Sequence, residues 1–226
     1  MKTRLLPGIT FAVAVGLIGI GGLALPETPL AAQNDSHPTI TVQIYNYSQA
    51  SPAILARAEH EAARILGAAG LHTVWLGCPV IPSPAGNSDP CQKALEASDL
   101  RLRILPSPVQ NKFQDAVFGF AVHPALASVY YDYAQRLARI DDAELETPVI
   151  LGGIMAHELG HLLLGSDSHS STGIMQSRWE KNQVRQLMMG DLLFTPEQST
   201  RMSVAAQARI ETQRNNASSA SAAPQH

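Results

Sequence analysis

Two histidines and a glutamate stand close together in the segment 157–161, whose sequence is HELGH. Residues four positions apart lie on one face of an α-helix, so the imidazoles of His157 and His161 can bind the same metal ion. Glu158 then lies beside the ion and can accept a proton from an attacking water molecule. This spacing is typical of zinc sites that hydrolyse peptide bonds without a covalent intermediate.

The residues around this segment favour a metal site over an incidental pair of histidines. The stretch from Val149 to Leu164 is apolar almost throughout and begins after Pro148, which predicts a buried helix. Burying two imidazoles and a carboxylate costs several kcal/mol unless a partner compensates, and a metal ion is such a partner. We therefore predict zinc as the cofactor, with Glu158 as the general base.

The segment from His157 to Met175 resembles the zinc motif of the metzincin clan of metallopeptidases, HExxHxxGxxH followed by a methionine turn. In that clan a glycine ends the helix and the chain returns a third histidine to the metal. The resemblance implies a zinc peptidase, with Met175 as an apolar floor beneath the ligands. It also implies that a peptide substrate lies extended along the strand predicted at 116–122.

The third ligand is displaced from the clan's spacing. The glycine is Gly165 where the clan's would fall at Leu164, and the histidine is His169 where the clan's ligand would fall at Asp167. We predict His169, because three neutral imidazoles leave the ion its full charge. Asp167 remains an alternative, since the small secreted streptomycete-type proteases similar to this motif use aspartate. Glu180 is a third candidate, by likeness to a clan whose last ligand is a glutamate on a following helix.

Alternating apolar residues predict strands, and the 3.6-residue period predicts helices, along the rest of the chain. We predict an α+β, metzincin-like fold: a mixed twisted sheet of about five strands with a backing helix, the active-site helix and a C-terminal helix. The predicted strands are 39–47, 72–76, 100–105, 116–122 and 127–133; the backing helix is 52–69, and the last helix runs from Pro196 to about Gln213.

The N-terminal residues have the three parts of a secretory signal. Lys2 and Arg4 precede an uncharged run over residues 5–25, and small residues follow as far as Ala32. We predict a signal peptide at 1–32; because the apolar run is long enough to span a bilayer, an uncleaved membrane anchor through 5–25 is the alternative. The peptidase domain is expected at 38–213, followed by a disordered tail at 214–226.

Export changes the interpretation of the two cysteines. Cys78 and Cys91 flank a loop rich in proline, glycine and serine. In an oxidising compartment such a pair most simply forms a disulfide, and two thiols are too few for a structural zinc site. The expected location is therefore secreted or periplasmic, with possible anchoring by the N-terminal segment.

Composition excludes some classes of function. The 226 residues include 16 Lys and Arg and 19 Asp and Glu, which gives a net charge of −3. This composition lacks the excess of positive charge that binding to nucleic acid requires. We predict an exported zinc-dependent metalloendopeptidase, monomeric, acting on peptides or proteins. Two alternatives stay open: a secreted non-catalytic binding protein with a structural zinc site, and a zinc hydrolase of a non-protein amide. An open fourth position on the metal distinguishes catalysis from structure.

Overall fold

The computed structural model describes residues 37–81, 90–107, 118–140 and 146–221. The strands are β1 (Thr39–Asn46), β2 (His72–Cys78), β3 (Asp99–Leu105), β4 (Gly119–Val122) and β5 (Leu126–Tyr130). The helices are α1 (Pro52–Ala68), α2 (Tyr131–Arg139), α3 (Thr147–Leu164), α4 (Lys181–Met188) and α5 (Pro196–Ser221). The predicted signal peptide or anchor at 1–32 lies outside the described residues and stays a prediction.

The strands form one five-stranded sheet in the order β2-β1-β3-β5-β4. β1, β2, β3 and β5 are parallel, and β4 pairs antiparallel with β5 at one edge. The expected α+β fold with a mixed sheet is therefore confirmed. The position of β4 matters for the site, because β4 lies next to α3 and one of its sides has no strand partner among the described residues.

The core lies between one face of the sheet and the helices α1 and α3. Alternate residues of β1 and β3 are buried on this face, as their period of two predicts: Ile40, Val42, Ile44, Leu100, Leu102 and Ile104. α3 is packed on all sides, with every residue except Val149 buried. Within the described ranges it is the one helix long and apolar enough to cross a membrane, and 94% of it is buried in the fold, as in the core helix of a globular domain.

The structure differs from the predicted elements at α2 and α4. The predicted strand at 127–133 ends at Tyr130, and Tyr131 begins α2, which buries Tyr133 and Leu137 on one side. Over so short a stretch, the arrangement of tyrosines and smaller residues fits both the two-residue period of a strand and the 3.6-residue period of a helix. The pattern therefore predicted a strand where the structure has a helix. α4 was not predicted, although its start carries a capping box between Glu180 and Gln183.

The C-terminal helix continues beyond its predicted end at Gln213 as far as Ser221, so the predicted disordered tail is wrong for residues 214–221. These residues are exposed, as their small polar composition indicated. Serine hydroxyl groups there donate to carbonyl oxygens four residues earlier, Ser218 to Arg214 and Ser219 to Asn215. Residues 222–226 lie outside the described part.

The predicted disulfide is confirmed. Cys78, the last residue of β2, is bonded to Cys91, which lies in a short 3-10 turn at Pro90–Gln92. The side chains of β1 hold this turn, since the Tyr45 hydroxyl donates to the carbonyl oxygen of Cys91 at 3.1 Å. The turn at Pro90–Gln92 is thereby held beside β1.

Candidate metal centre

Helix α3 carries the first two histidines and ends immediately after them. Gly165 follows the helix with a φ of 103°, a conformation that L side chains rarely adopt, and its N–H donates to the His161 carbonyl oxygen at 3.0 Å. Gly165, which lies one residue later than the glycine of the metzincin motif, therefore ends the helix at the position predicted from the sequence. His157 and His161 are both buried, one turn apart on the same face.

The turn after Gly165 brings His169 back to the helix. The Nε2 atom of His161 lies 3.1 Å from Nε2 of His157 and 3.2 Å from Nε2 of His169. The ligand atoms of the three residues all lie within 4.8 Å of one another. The structure thus brings together the three histidines that were predicted as zinc ligands.

The Nδ1 atoms of the two helical histidines are held by oxygen acceptors. His157 Nδ1 lies 2.8 Å from the carbonyl oxygen of Ile174, which can only accept, so this nitrogen carries the proton. The Ser168 hydroxyl donates to the carbonyl oxygen of Gly165 at 2.6 Å and can therefore accept from His161 Nδ1 at 2.9 Å. Both neutral imidazoles then present bare Nε2 lone pairs to each other.

This arrangement fits a metal ion. Lone pairs that face one another at 3.1 Å repel unless a cation lies between them. Nitrogen atoms bound tetrahedrally to zinc at about 2.0–2.1 Å are roughly 3.4 Å apart, close to the two short separations observed. Hydrogen bonds on the opposite ring nitrogens are also the usual support of histidine ligands.

Glu158 lies beside the three histidines. With a side chain 3% exposed, it lines a cleft of about 340 Å³ together with His157, His161, His169 and residues 118–121. No donor within 37–81, 90–107, 118–140 or 146–221 makes a hydrogen bond to its carboxylate. The carboxyl group is therefore free to bind water or substrate in the cleft.

Burial shifts the titration of these groups. It lowers the pKa of His157 to about 3 and raises the pKa of Glu158 to about 8. The pKa of His161 is also lowered, mainly by burial. His157 consequently stays neutral in weak acid, and burial favours the neutral form of His161 as well; the neutral imidazole is the form that binds metal.

Apolar and aromatic side chains surround the imidazoles. Met175 is fully buried, and its Sδ approaches Gly160 so closely that a Cβ there would lie 2.9 Å away. Phe118 packs edge-on against His157, with ring centroids 4.8 Å apart, and Trp179 donates to the Ile174 carbonyl at 3.2 Å. Met175 thus packs against α3, the helix that carries two of the ligands, and its role as a floor beneath the ligands stays a prediction.

The two alternative ligands lie elsewhere. Asp167 is exposed in the turn that follows Gly165, and it is not part of the described group of three histidines. Glu180 is the N-cap of α4, where its side chain accepts from the backbone of Gln183. Neither carboxylate joins the imidazoles in the described part of the chain.

Sequence reasoning missed Ser168, Phe118 and the carbonyl group of Ile174 as parts of the site. Ser168 lies in a Ser-Asp-Ser-His turn in which no pattern marks one serine above the other. The other two contact His157 only because the chain folds back over long separations. A signal from sequence existed only for Ile174, which precedes the methionine of the turn.

No protein-family model matches the sequence, and no curated protein is similar to it. Among solved structures, a zinc-dependent peptidase from Methanocorpusculum labreanum aligns with 71% of this chain and 99% of its own, at 14% identity and a TM-score of 0.49. Archaemetzincin from Methanopyrus kandleri aligns with 80% of this chain and 99% of its own, at 17% identity and a TM-score of 0.42. Similarity this low assigns no function, which must come from the geometry of the site.

Proposed function

We propose that this protein is a zinc-dependent metalloendopeptidase of the metzincin type. The observation that carries the proposal is the convergence of three Nε2 atoms, from His157, His161 and His169, with the opposite nitrogens of the two helical rings held by oxygen acceptors. Three imidazoles are the donor set of hydrolytic zinc sites. When bound, zinc lowers the pKa of water and polarises a carbonyl oxygen.

Glu158 supplies the acid–base chemistry of the proposed reaction. Its carboxyl group lines the same cleft as the three rings. A zinc ion bound beside it would favour the ionised form, which can accept a proton from the attacking water. The same oxygen can then donate that proton to the amine that leaves when the peptide bond breaks. One side chain thus carries the proton from the nucleophile to the leaving group.

Strand β4 gives the proposed substrate its orientation. Gly119, Phe120 and Ala121 line the cleft, and β4 is one of the two edge strands of the described sheet. An extended peptide can pair with the free side of such a strand through its main chain, which peptides of every sequence share. This mode of binding favours peptides and proteins over other amides.

The metal site leaves room for a substrate. In the described ranges neither Asp167 nor Glu180 approaches the histidines, so three protein ligands leave the fourth position of a tetrahedral zinc open. A structural zinc site has four protein ligands, and a cleft over three of them supports catalysis instead.

We propose that the enzyme acts outside the cytoplasm. The basic and then apolar character of residues 1–32 supports export, with retention through 5–25 as the alternative. The Cys78–Cys91 disulfide supports the same compartment, because such bonds persist under oxidising conditions.

Metal analysis and cleavage of a peptide library test the proposed activity together. The purified protein should contain about one zinc per chain and cleave internal peptide bonds. Glu158→Gln should keep zinc while kcat falls by roughly three orders of magnitude or more. A zinc-free protein, or full activity in Glu158→Gln, would reject the proposal. Cleavage of cell-wall amides without cleavage of peptides would favour the non-protein substrate.

A further inference from the structure

A second and larger groove, of about 960 Å³, lies on the side of the sheet opposite α3. Its walls come from β1, β3, the segment 122–126 between β4 and β5, the disulfide-bonded loop and α5. Arg101, Arg103 and Arg209 line it, against the single carboxylate of Glu96 among its lining residues. Positive charge is therefore concentrated here, in a chain whose net charge is −3.

Arg101 and Arg103 keep donors available on this face. Arg101 Nη2 donates to the Gln43 side chain at 3.1 Å, while its buried Nε has no partner among the described residues. Arg103 Nε donates to the Ser128 hydroxyl at 3.0 Å. Because a guanidinium has five N–H groups, each arginine retains donors for an anion.

No acidic side chain in the described ranges lies within ion-pair distance of either arginine. The guanidinium groups lie instead over aromatic rings, Arg101 at 5.3 Å from the centroid of Tyr45 and Arg103 at 5.8 Å from that of Phe120. Stacking of this kind holds a guanidinium in place without neutralising its charge. The two arginines are thus positioned for a ligand that the described fold does not supply.

Arg209 has a different role. It donates to the backbone carbonyl oxygens of Ala97, Pro124 and Leu162, which fixes α5 against the loops at this end of the sheet. It adds positive charge to the groove, but most of its donors are used. Arg101 and Arg103 therefore hold most of the unused N–H donors of the arginines in the groove.

Strand β4 connects this groove to the histidine cleft. Its first three residues line the cleft, next to Phe118, whereas its last residue, Val122, and the following His123 line the groove. A strand rises about 3.3 Å per residue, so the groove begins roughly 13 Å beyond Phe118. A peptide that pairs with β4 and continues past Val122 would enter the groove about three to five residues from the cleaved bond. The arginines lie inside the groove on β3, which β5 separates from β4.

We propose that the Arg101–Arg103 groove binds the side-chain carboxylate of an acidic residue in the substrate, and so selects peptides with Asp or Glu about three to five residues from the cleaved bond. The inference rests on the proposed peptidase function. The planar guanidinium groups match the two oxygens of a carboxylate, which favours this anion.

Substrate pairs that differ by one charge test the groove. A neutral peptide that the protein cleaves is resynthesised with Glu or Gln at each position up to six residues from the cleaved bond. All peptides carry amidated C-termini, so that only the side chain supplies the charge. One further peptide has Gln at the preferred position and ends there with a free carboxyl group, which separates a side-chain carboxylate from a terminal one.

The wild-type protein should show about a tenfold higher kcat/KM for Glu than for Gln at a position three to five residues away, on one side only. In the Arg101→Gln/Arg103→Gln variant this ratio should fall to within about twofold of unity. Arg57→Gln is the matched control, because it removes a positive charge from α1, where Arg57 pairs with Glu146, and should keep the ratio. Equal cleavage of Glu and Gln peptides at every position, or a preference that survives the double substitution, overturns the proposal. If the protein prefers only the peptide with the free terminal carboxyl group over the Gln peptides, the assignment to a side-chain carboxylate is overturned.

Failure of the peptidase function is separable from failure of the groove. If no peptide is cleaved, binding of fluorescent peptides containing Glu or Gln is measured by anisotropy with the full chain. Tighter binding of the Glu peptide that is lost in Arg101→Gln/Arg103→Gln supports the groove. Equal binding of the two peptides rejects it.

Discussion

The Nδ1 atom of His157 donates to the carbonyl oxygen of Ile174 across 2.8 Å. This bond joins the middle of α3 to a segment seventeen residues later, immediately before Met175. Because the carbonyl group accepts, it fixes the proton on Nδ1 and leaves Nε2 free for a metal. The buried turn that contains Met175 therefore orients a ligand as well as filling space behind it.

Removing His169 should empty the metal site. His169→Ala deletes one of three converging nitrogens, and a pair of histidines binds zinc weakly. Zinc content after dialysis should fall from about one to well below half per chain. Asp167→Ala is the matched control in the same turn and should retain zinc; loss of zinc there with retention in His169→Ala would make Asp167 the third ligand.

Ser168→Ala should weaken zinc binding without abolishing it. The substitution removes the hydroxyl group that accepts from His161 Nδ1, while Gly165 O at 3.4 Å remains as a poorer acceptor. Loss of such an orienting group typically reduces metal affinity by about 10–100-fold. Competition with a zinc-binding dye measures the affinity, and Ser166→Ala, in the same turn, is the comparison. Equal affinities in the two variants would contradict the role of Ser168.

Gly160→Ala should destabilise the protein, although alanine is the better helix former. Its Cβ would lie 2.8 Å from Phe194 Cε1 and 2.9 Å from Met175 Sδ, so both side chains must move. We expect a loss of about 1–3 kcal/mol in the free energy of unfolding, measured with denaturant. Gly67→Ala on α1 is the control, because nothing lies within 4 Å of its Cβ and it should gain about 0.5–1 kcal/mol. Equal effects would show that the packing behind α3 is loose.

The metal-free protein should be most stable between about pH 4.5 and 6.5. Burial lowers the pKa of His157 from 6.5 to about 3, so the unfolded chain takes up a proton below pH 6.5 that the folded chain refuses. Burial raises the pKa of Glu158 from 4.5 to about 8; its contribution to stability is complete below pH 4.5 and is lost as pH rises to about 8. Between pH 4.5 and 6.5 the effects of the two groups on the free energy of unfolding have opposite slopes and cancel.

Urea unfolding of the chelated protein at several pH values measures this dependence. Between pH 6.5 and 8 only Glu158 of this pair contributes, with a slope of at most about 1.4 kcal/mol per pH unit. Glu158→Gln, whose side chain cannot ionise, should remove the decline in stability above pH 6.5. The loss of stability at low pH, which comes from His157, should remain. Parallel curves for the two proteins would mean that Glu158 is already ionised in the folded state.

Local patterns predicted most of the secondary structure. The alternation in β1 and β3 and the apolar stripe of α1 gave both the elements and their buried faces, because burial on one side imposes the period. α2 and α4 were missed. They are short, and in short segments the period of a helix and that of a strand are not distinguishable by residue type.

The sequence by itself determined the chemistry of the site. HExxH on an apolar helix placed His157, Glu158 and His161 together, because one turn of helix is a local and fixed geometry. It also placed the end of the helix at Gly165. These conclusions needed no contact between distant residues.

Only the tertiary structure decided between His169 and Asp167, and brought Ile174, Ser168 and Phe118 to the rings. The path of a turn depends on its packing against the rest of the fold, and the five residues after α3 do not specify it. The groove of Arg101 and Arg103 also depends on tertiary structure, because the two arginines lie on one strand but the groove's other walls come from distant segments. The geometry of one helix turn determines which side chains can bind metal and transfer a proton. The packing of distant segments determines where the other residues of the site contact them.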